Sequence, residues 1–328
     1  MITTATSTIS QELNTLRSGV AVYPLTGRAF LRVTGSDATR WLNGMVTNST
    51  QSLQPGEGNY NFLLNAQGRI QGDCTLYRES IVTPASFLIA TSSSQIEPIQ
   101  KHLDHFIIMD DVELTRAYED EQTLILAGEG ATSALQSMGL PAIDPVHLVH
   151  ASTEHGNVLL TSPTAGEIPC FELRAAVSTL NALRHIIDAP ELSPETLETL
   201  RILSGIPAYG IDIRERDLPQ ETNQAHALHF NKGCYLGQEI VERIRSRGQV
   251  HRLFAQFKLS GEFPALPTEL TANGKAAGEL TSAAEINGTI VALGYGRREA
   301  LDLHQPLNYS GGTAEPANTS KLLSEIIS

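Results

Sequence analysis

The chain has 328 residues, 41% of them apolar, and its 36 acidic and 23 basic residues give a formal net charge of −13. Such a length exceeds one ordinary core and predicts two or three domains, while the acidic balance argues against direct nucleic-acid binding, which depends on summed positive charge. No run approaches a transmembrane helix and the start lacks the basic and apolar blocks of a secretory signal, so no membrane partner and a cytoplasmic address are expected.

The three cysteines, Cys74, Cys170 and Cys234, are far apart and odd in number. They outline no disulfide framework and no C-x-x-C pair, and a cluster or zinc site built by this chain alone would be short of thiolates.

Residues 1–18 are rich in Ser and Thr and predict a frayed lead-in. The first strand is expected over 29–33, where apolar residues alternate. Gly35-Ser36-Asp37 then offers a cap for an amphipathic helix bearing Ala38, Trp41, Leu42 and Met45. A hairpin follows, with strands over 59–64 and 69–77 about the turn Asn65-Ala66-Gln67-Gly68. A strand over 87–90, a helix marked by Ile96, Ile99, Leu103 and Phe106, and a strand over 112–115 complete the order βαβββαβ, a ferredoxin-like plan with one added strand. The plan recurs more faintly in strands over 122–127, 146–149, 158–161 and 168–173 and helices over 131–138 and 176–187.

Ser193-Pro194-Glu195 is a helix start, with a capping Ser and Pro at the first helical position, and the helix should run to about Ser204. Residues 205–227 lack periodicity and predict a long ordered loop. After His251 the texture becomes β-like, with hairpin signals at Asn273-Gly274 and Asn287-Gly288. The expected architecture is α+β: two ferredoxin-like lobes and a small antiparallel C-terminal β-barrel. The expected boundaries are a first lobe at 19–117, completed by parts of 193–250, and a second lobe at 118–192. A helix, loop and glycine-rich segment occupy 193–250, the barrel 251–310, and a tail with a short helix 311–328.

The stretch 228–247 concentrates the chemistry. Gly233 and Gly237 flank a lone thiol at Cys234, Lys232 precedes it, and Arg243, Arg245, Arg247 and Arg252 follow. Gln238 and Glu239 open a helix. A thiol beside a lysine at a helix N-terminus is expected to favour the thiolate, which makes Cys234 a candidate reactive or ligating group; the plainer alternative is a small buried residue in a tight turn. The basic group suits a small polyanion on an acidic protein. For Arg245 and Arg247 the simpler expectation is pairing with Glu239 and Glu242 on a solvated helix face. His226, His229 and Cys234 have a loose H-x2-H-x4-C spacing, one ligand short of a closed zinc site. No stably bound metal is expected.

Lys232-Gly233-Cys234-Tyr235-Leu236-Gly237-Gln238-Glu239 is similar to the K-G-C-Y-x-G-Q-E signature of the YgfZ family, relatives of the glycine-cleavage T protein. Gly27 to Asn48, Leu63 to Asp73 and Gly205 to Glu221 resemble further family blocks in the right order. The resemblance implies three domains around a central folate-sized opening that binds tetrahydrofolate, and a role in assembly or repair of iron–sulfur proteins, through which it supports tRNA modification. It implies an accessory protein acting on iron–sulfur client or carrier proteins, with Cys234 as functional thiol and Lys232 essential beside it. For the folate it implies Asp73, Lys232, Tyr235, Gln238, Glu239 and Arg243. Leu203 stands where the relatives carry a Glu that grips the pterin. The alternative is a folate-dependent aminomethyl or other one-carbon transferase of the glycine-cleavage T type.

Overall fold

The structure, a computed structural model, describes residues 2–79, 85–163 and 168–317. Two compact units divide the chain: Thr15–Glu191 with His226–Gln238 form a two-sheet unit, and the remaining described residues form a barrel unit. Among the described residues no helix is long and apolar enough to cross a membrane.

The chain opens with α1 (Ile2–Ser18), where a frayed lead-in was expected. Ser and Thr are indifferent helix formers, so propensity gave no warning; Leu13 and Leu16, one turn apart and both fully buried, anchor the helix instead. Next come β1 (Ala21–Leu25), β2 (Arg28–Thr34), α2 (Ala38–Asn43), β3 (Gly58–Leu64), β4 (Ile70–Arg78), β5 (Phe87–Ser92), α3 (Ser93–Asp104) and β6 (Glu113–Ala117). The second half of the unit holds β7 (Gln122–Ala127), α4 (Ala131–Ser137), β8 (Leu148–Thr153), β9 (Gly156–Thr161), β10 (Cys170–Ala175) and α5 (Val177–Ile186).

Two five-stranded sheets result, in the orders β3-β4-β5-β2-β6 and β1-β7-β10-β9-β8. They share one plan, in which the outer strand beside the first strand of the lobe comes from its C-terminal end in one case (β6) and from ahead of it in the other (β1). The strand β1 escapes sequence reasoning because Pro24 interrupts it; an edge position tolerates the missing N–H. Helices α2 and α3 cover one sheet through Trp41, Leu42, Ile96 and Ile99. Helices α4 and α5 cover the other through Leu135, Leu180 and Leu183.

The opposite faces of the sheets meet over Phe30, Tyr77, Leu88, Leu148 and Leu159. Charges lie in the same layer: Arg28 Nε reaches across to Glu172 at 2.9 Å, and within the first sheet Arg32 binds Glu79 with two hydrogen bonds of 2.8 and 3.0 Å. His150 lies 3.3 Å from Glu79. Burial raises the Glu79 pKa, but hydrogen bonds from His150, Arg32 and Ser86 outweigh it and hold the carboxyl at about 2.

The barrel unit carries α6 (Pro194–Leu203), α7 (Gln238–Arg247) from Glu239 onward, β11 (Arg252–Gly261), β12 (Thr268–Ala272), β13 (Lys275–Ile286), β14 (Thr289–Arg297), α8 (Arg298–Asp302), β15 (Leu307–Tyr309) and β16 (Gly312–Pro316). The strands close into a barrel in the order β11-β14-β13-β12-β15-β16. Asn273-Gly274 and Asn287-Gly288 turn with positive φ at both residues, as hairpins of this composition require. Strand β16 continues past the expected barrel end at 310, because closure needs a partner for β11. The expected terminal helix falls in 318–328, outside the described residues.

The aperiodic stretch after α6 is ordered by buried charge. Asp212 is fully buried and accepts from Arg201 Nη1 at 2.7 Å, Thr281 Oγ1 at 2.5 Å, Ser282 Oγ at 2.8 Å and the Ala208 amide at 2.9 Å. These bonds fasten α6 and its following loop to β13. Removing one partner of a buried ion pair leaves the other charge uncompensated. Here Arg201 also binds Glu198, at 2.6 and 2.9 Å, and keeps that partner, so Asp212→Ala instead leaves the Ser282 hydroxyl and the Ala208 amide without their acceptor and should lower stability by about 1–3 kcal/mol in chemical denaturation.

Candidate functional site

The signature residues lie on a strap, His226–Gln238, that belongs to the two-sheet unit and runs over the end of α2 and the loop after it. Backbone hydrogen bonds fix its course: the His229 amide donates to the Thr47 carbonyl at 3.2 Å, and the Leu236 amide to the Gly44 carbonyl at 3.0 Å. Thr47 Oγ1 donates to the Ala227 carbonyl at 2.7 Å, and Asn48 Nδ2 to the His226 carbonyl at 2.8 Å. Gly237 has φ +82°, and a Cβ there would stand 2.7 Å from the Asn65 carbonyl oxygen, so only glycine lets the strap pass the β3–β4 turn.

Lys232 is the inner fastening. Its ammonium donates to the Val46 carbonyl at 2.7 Å and to the Asn48 carbonyl at 2.5 Å, and lies 5.1 Å from the centre of the Tyr235 ring. Two of its three N–H donors are thus committed to backbone, which differs from a lysine offered to a ligand's anionic tail. Burial pushes its pKa down to about 7. Tyr235 is buried, and its amide and carbonyl close a turn with Gln238, whose Oε1 accepts at 3.3 Å and whose amide donates at 3.1 Å.

Cys234 is exposed between the half-buried Lys232 and the buried Tyr235, whereas Cys74 is buried and Cys170 partly so. Burial raises the Cys74 thiol well above its ordinary range and the Cys170 thiol to about 12. Helix α7 begins at Gln238, as expected, which leaves the thiol four residues ahead of the helix N-terminus rather than at it. Glu239 and Arg243 follow on α7, both exposed, in residues assigned to the barrel unit. Arg245 pairs with Glu242 at 3.4 Å, as expected of a solvated helix face. Arg252 does not serve a free basic patch: it pairs with Asp217 at 2.7 Å, Glu221 at 3.2 Å and Glu279 at 3.3 Å.

Asp73 on β4 has two partners that the sequence did not suggest. Tyr60 Oη donates to its Oδ2 at 2.5 Å, and Gln95 Nε2 to its Oδ1 at 2.8 Å. Gln95 also accepts from the Asp73 amide at 3.0 Å. Burial raises the pKa of Asp73, against the hydrogen bonds from Tyr60 and Gln95 and the charge of Arg28. Both carboxylate oxygens of Asp73 act as acceptors, which suits a ligand with adjacent N–H groups. Strand pairing could have flagged Tyr60, which lies on β3 beside β4; Gln95 comes from α3 and left no local signal. In the barrel unit Leu203 is fully buried and offers no acceptor side chain. Among the described residues no group of three or more His, Cys, Asp or Glu side chains is placed to hold a metal ion, so His226, His229 and Cys234 do not form a ligand set.

The Lys232 bonds generate a stability prediction. Lys232→Met leaves the Val46 and Asn48 carbonyls without their donor, at a cost of about 1–3 kcal/mol for each carbonyl left buried and unsatisfied. A lysine whose folded pKa is depressed to about 7 binds fewer protons when folded than when unfolded between that pH and its ordinary value of 10.5. Its contribution is therefore greatest above 10.5 and declines as pH falls towards 7. In urea denaturation the advantage of the wild type over Lys232→Met should widen as pH is raised from 7 to 10.

Residues 3–163 match the family model of the GCVT N-terminal domain. The chain is 28% identical over 272 residues to an iron-sulfur cluster assembly factor IBA57 homolog, mitochondrial, of Neurospora crassa, covering 80% of this chain and 59% of that protein. It is equally 28% identical over 276 residues to an aminomethyltransferase of Chlorobium chlorochromatii, covering 80% of this chain and 73% of that protein. The chain therefore spans less than two thirds of the Neurospora relative. Among solved structures, the glycine cleavage system aminomethyltransferase T from Bartonella henselae superimposes with a TM-score of 0.84 at 17% identity, over 94% of this chain and 88% of that one. Residues 3–163 thus resemble a GCVT N-terminal domain, the chain is similar to iron–sulfur cluster assembly factors and to aminomethyltransferases alike, and its fold is GcvT-like α+β ending in a closed barrel.

Proposed function

We propose that this protein is a tetrahydrofolate-binding accessory factor in the assembly or repair of iron–sulfur proteins, with Cys234 as its functional thiol, as the YgfZ-like signature implies. The observation that carries this reading is the exposure of Cys234 on a strap where the Lys232 ammonium, the Tyr235 ring and the Gln238 side chain are turned to internal contacts. A strap held this firmly presents one sulfur at a fixed place. On losing its proton, the thiolate can bind a cluster iron. The remaining thiolates have to come from a carrier or client protein, because Cys74 lies in the core.

Asp73 would hold the pterin edge by accepting its N–H groups, with Gln95 keeping the carboxylate oriented. The reduced folate, when bound, supplies a one-carbon carrier; the chain's own residues supply the acceptor and its orientation. A second reading, folate-dependent aminomethyl transfer, is favoured by the 28% identity to an aminomethyltransferase. Release of ammonia and methylene-tetrahydrofolate from an aminomethylated carrier protein would establish it.

Two measurements test the first reading. Cys234→Ala should lower the activity of iron–sulfur enzymes in cells without changing protein abundance; unaltered enzyme activity would show that the thiol is not used. In calorimetry Asp73→Asn should weaken tetrahydrofolate binding by about 1.5–3 kcal/mol, roughly 10- to 150-fold, the worth of a hydrogen bond to a charged group. Equal affinity for the wild type and Asp73→Asn would remove Asp73 from the site.

A further inference from the structure

Asp73 and the strap bearing Cys234 belong to the same unit, and a continuous series of side chains joins them. Tyr60 Oη donates to Asp73 Oδ2 at 2.5 Å. The Tyr60 ring lies 5.5 Å from that of His226, tilted by 34°, and His226 is the first residue of the strap. Asn48 ties the two together, since its Nδ2 donates to the Tyr60 carbonyl at 3.3 Å and to the His226 carbonyl at 2.8 Å. The Asn48 carbonyl in turn accepts from Lys232 Nζ at 2.5 Å, two residues before the thiol.

The two donors on Asp73 are not equivalent. Gln95 is buried and exchanges a pair of hydrogen bonds with Asp73, and its Nε2 also donates to Ser92 Oγ at 3.2 Å. Tyr60 is half-buried and donates to the carboxylate through a hydroxyl that can rotate. A planar heterocycle placing two adjacent N–H donors on Asp73 therefore competes with the Tyr60 hydroxyl before it competes with Gln95.

We propose that Tyr60 is a positioning residue that couples occupancy of Asp73 to the strap carrying Cys234. A ligand on Asp73 draws off the Tyr60 hydroxyl, the ring shifts against His226, and the Asn48–Lys232 contact passes the shift to the thiol. This inference rests on the reading of Asp73 as ligand acceptor and Cys234 as functional thiol. It adds that the two are energetically linked, with a coupling factor of about 5-fold or more.

The test is the rate at which iodoacetamide alkylates Cys234 in the full chain, followed by peptide mass spectrometry so that Cys74 and Cys170 are counted separately. Wild type, Tyr60→Phe and His226→Ala are each measured without ligand and with saturating tetrahydrofolate, and calorimetry on the same samples reports binding. The wild-type rate should change at least about 5-fold with ligand. Tyr60→Phe should still bind while losing that change, and its ligand-free rate should already differ from the wild type; His226→Ala should also lose the response. Wild-type protein that binds with an unchanged rate, or a Tyr60→Phe response equal to the wild type, overturns the coupling. If the wild type does not bind tetrahydrofolate, the ligand reading fails; equal ligand-free rates in wild type and Tyr60→Phe then overturn the coupling as well, and unequal rates uphold it.

Discussion

The candidate site depends on the ammonium of Lys232 held between the carbonyls of Val46 and Asn48. A lysine half-removed from water is costly unless its donors are matched, and here two backbone oxygens match them. Those oxygens lie just after α2, whose position is set by Trp41 and Leu42 in the core of the first sheet. The strap is thereby referred to the sheet rather than to solvent, and the exposed thiol inherits that placement.

The sheet is itself held to its partner by more than apolar contact. The shared layer of Phe30, Tyr77, Leu88, Leu148 and Leu159 supplies burial without direction, while Arg28 with Glu172 and His150 with Glu79 fix how one face meets the other. Arg28 also contributes charge near Asp73, so the layer between the sheets bears on the acceptor as well as on the fold. Asp212 has a corresponding place in the barrel unit, where Arg201, Thr281 and Ser282 converge on one buried carboxylate. Both units use a few matched buried charges to orient elements that hydrophobic burial alone would leave loosely specified.

Resemblance in fold to aminomethyltransferase T does not choose between transfer and assembly chemistry, because function resides in the site carried by a fold. The chemical features that bear on the choice are the exposed thiol, the lysine engaged by backbone, and the fully buried Leu203 where the resembling family carries an acid. The first favours a ligating or sulfur-directed role; the last leaves no acceptor side chain at that position.

What the sequence determined by itself was local and periodic. The capping Ser193 before Pro194, the Asn-Gly turns of the barrel, and the hairpin of β3 and β4 about Asn65-Ala66-Gln67-Gly68 all follow from interactions within a few residues, and the signature around Cys234 was legible as a string. Where the thiol, the lysine and the carboxylate would point was not. Lys232 finds Val46 and Asn48 at 186 and 184 residues' remove, and Asp73 takes Gln95 from a helix 22 residues on. Helix α1 and strand β1 form against local preference, because burial of Leu13 and Leu16 and an edge place beside β7 outweigh it. Such partners are chosen only when the chain closes on itself, since burial and hydrogen bonding depend on what lies nearby in space.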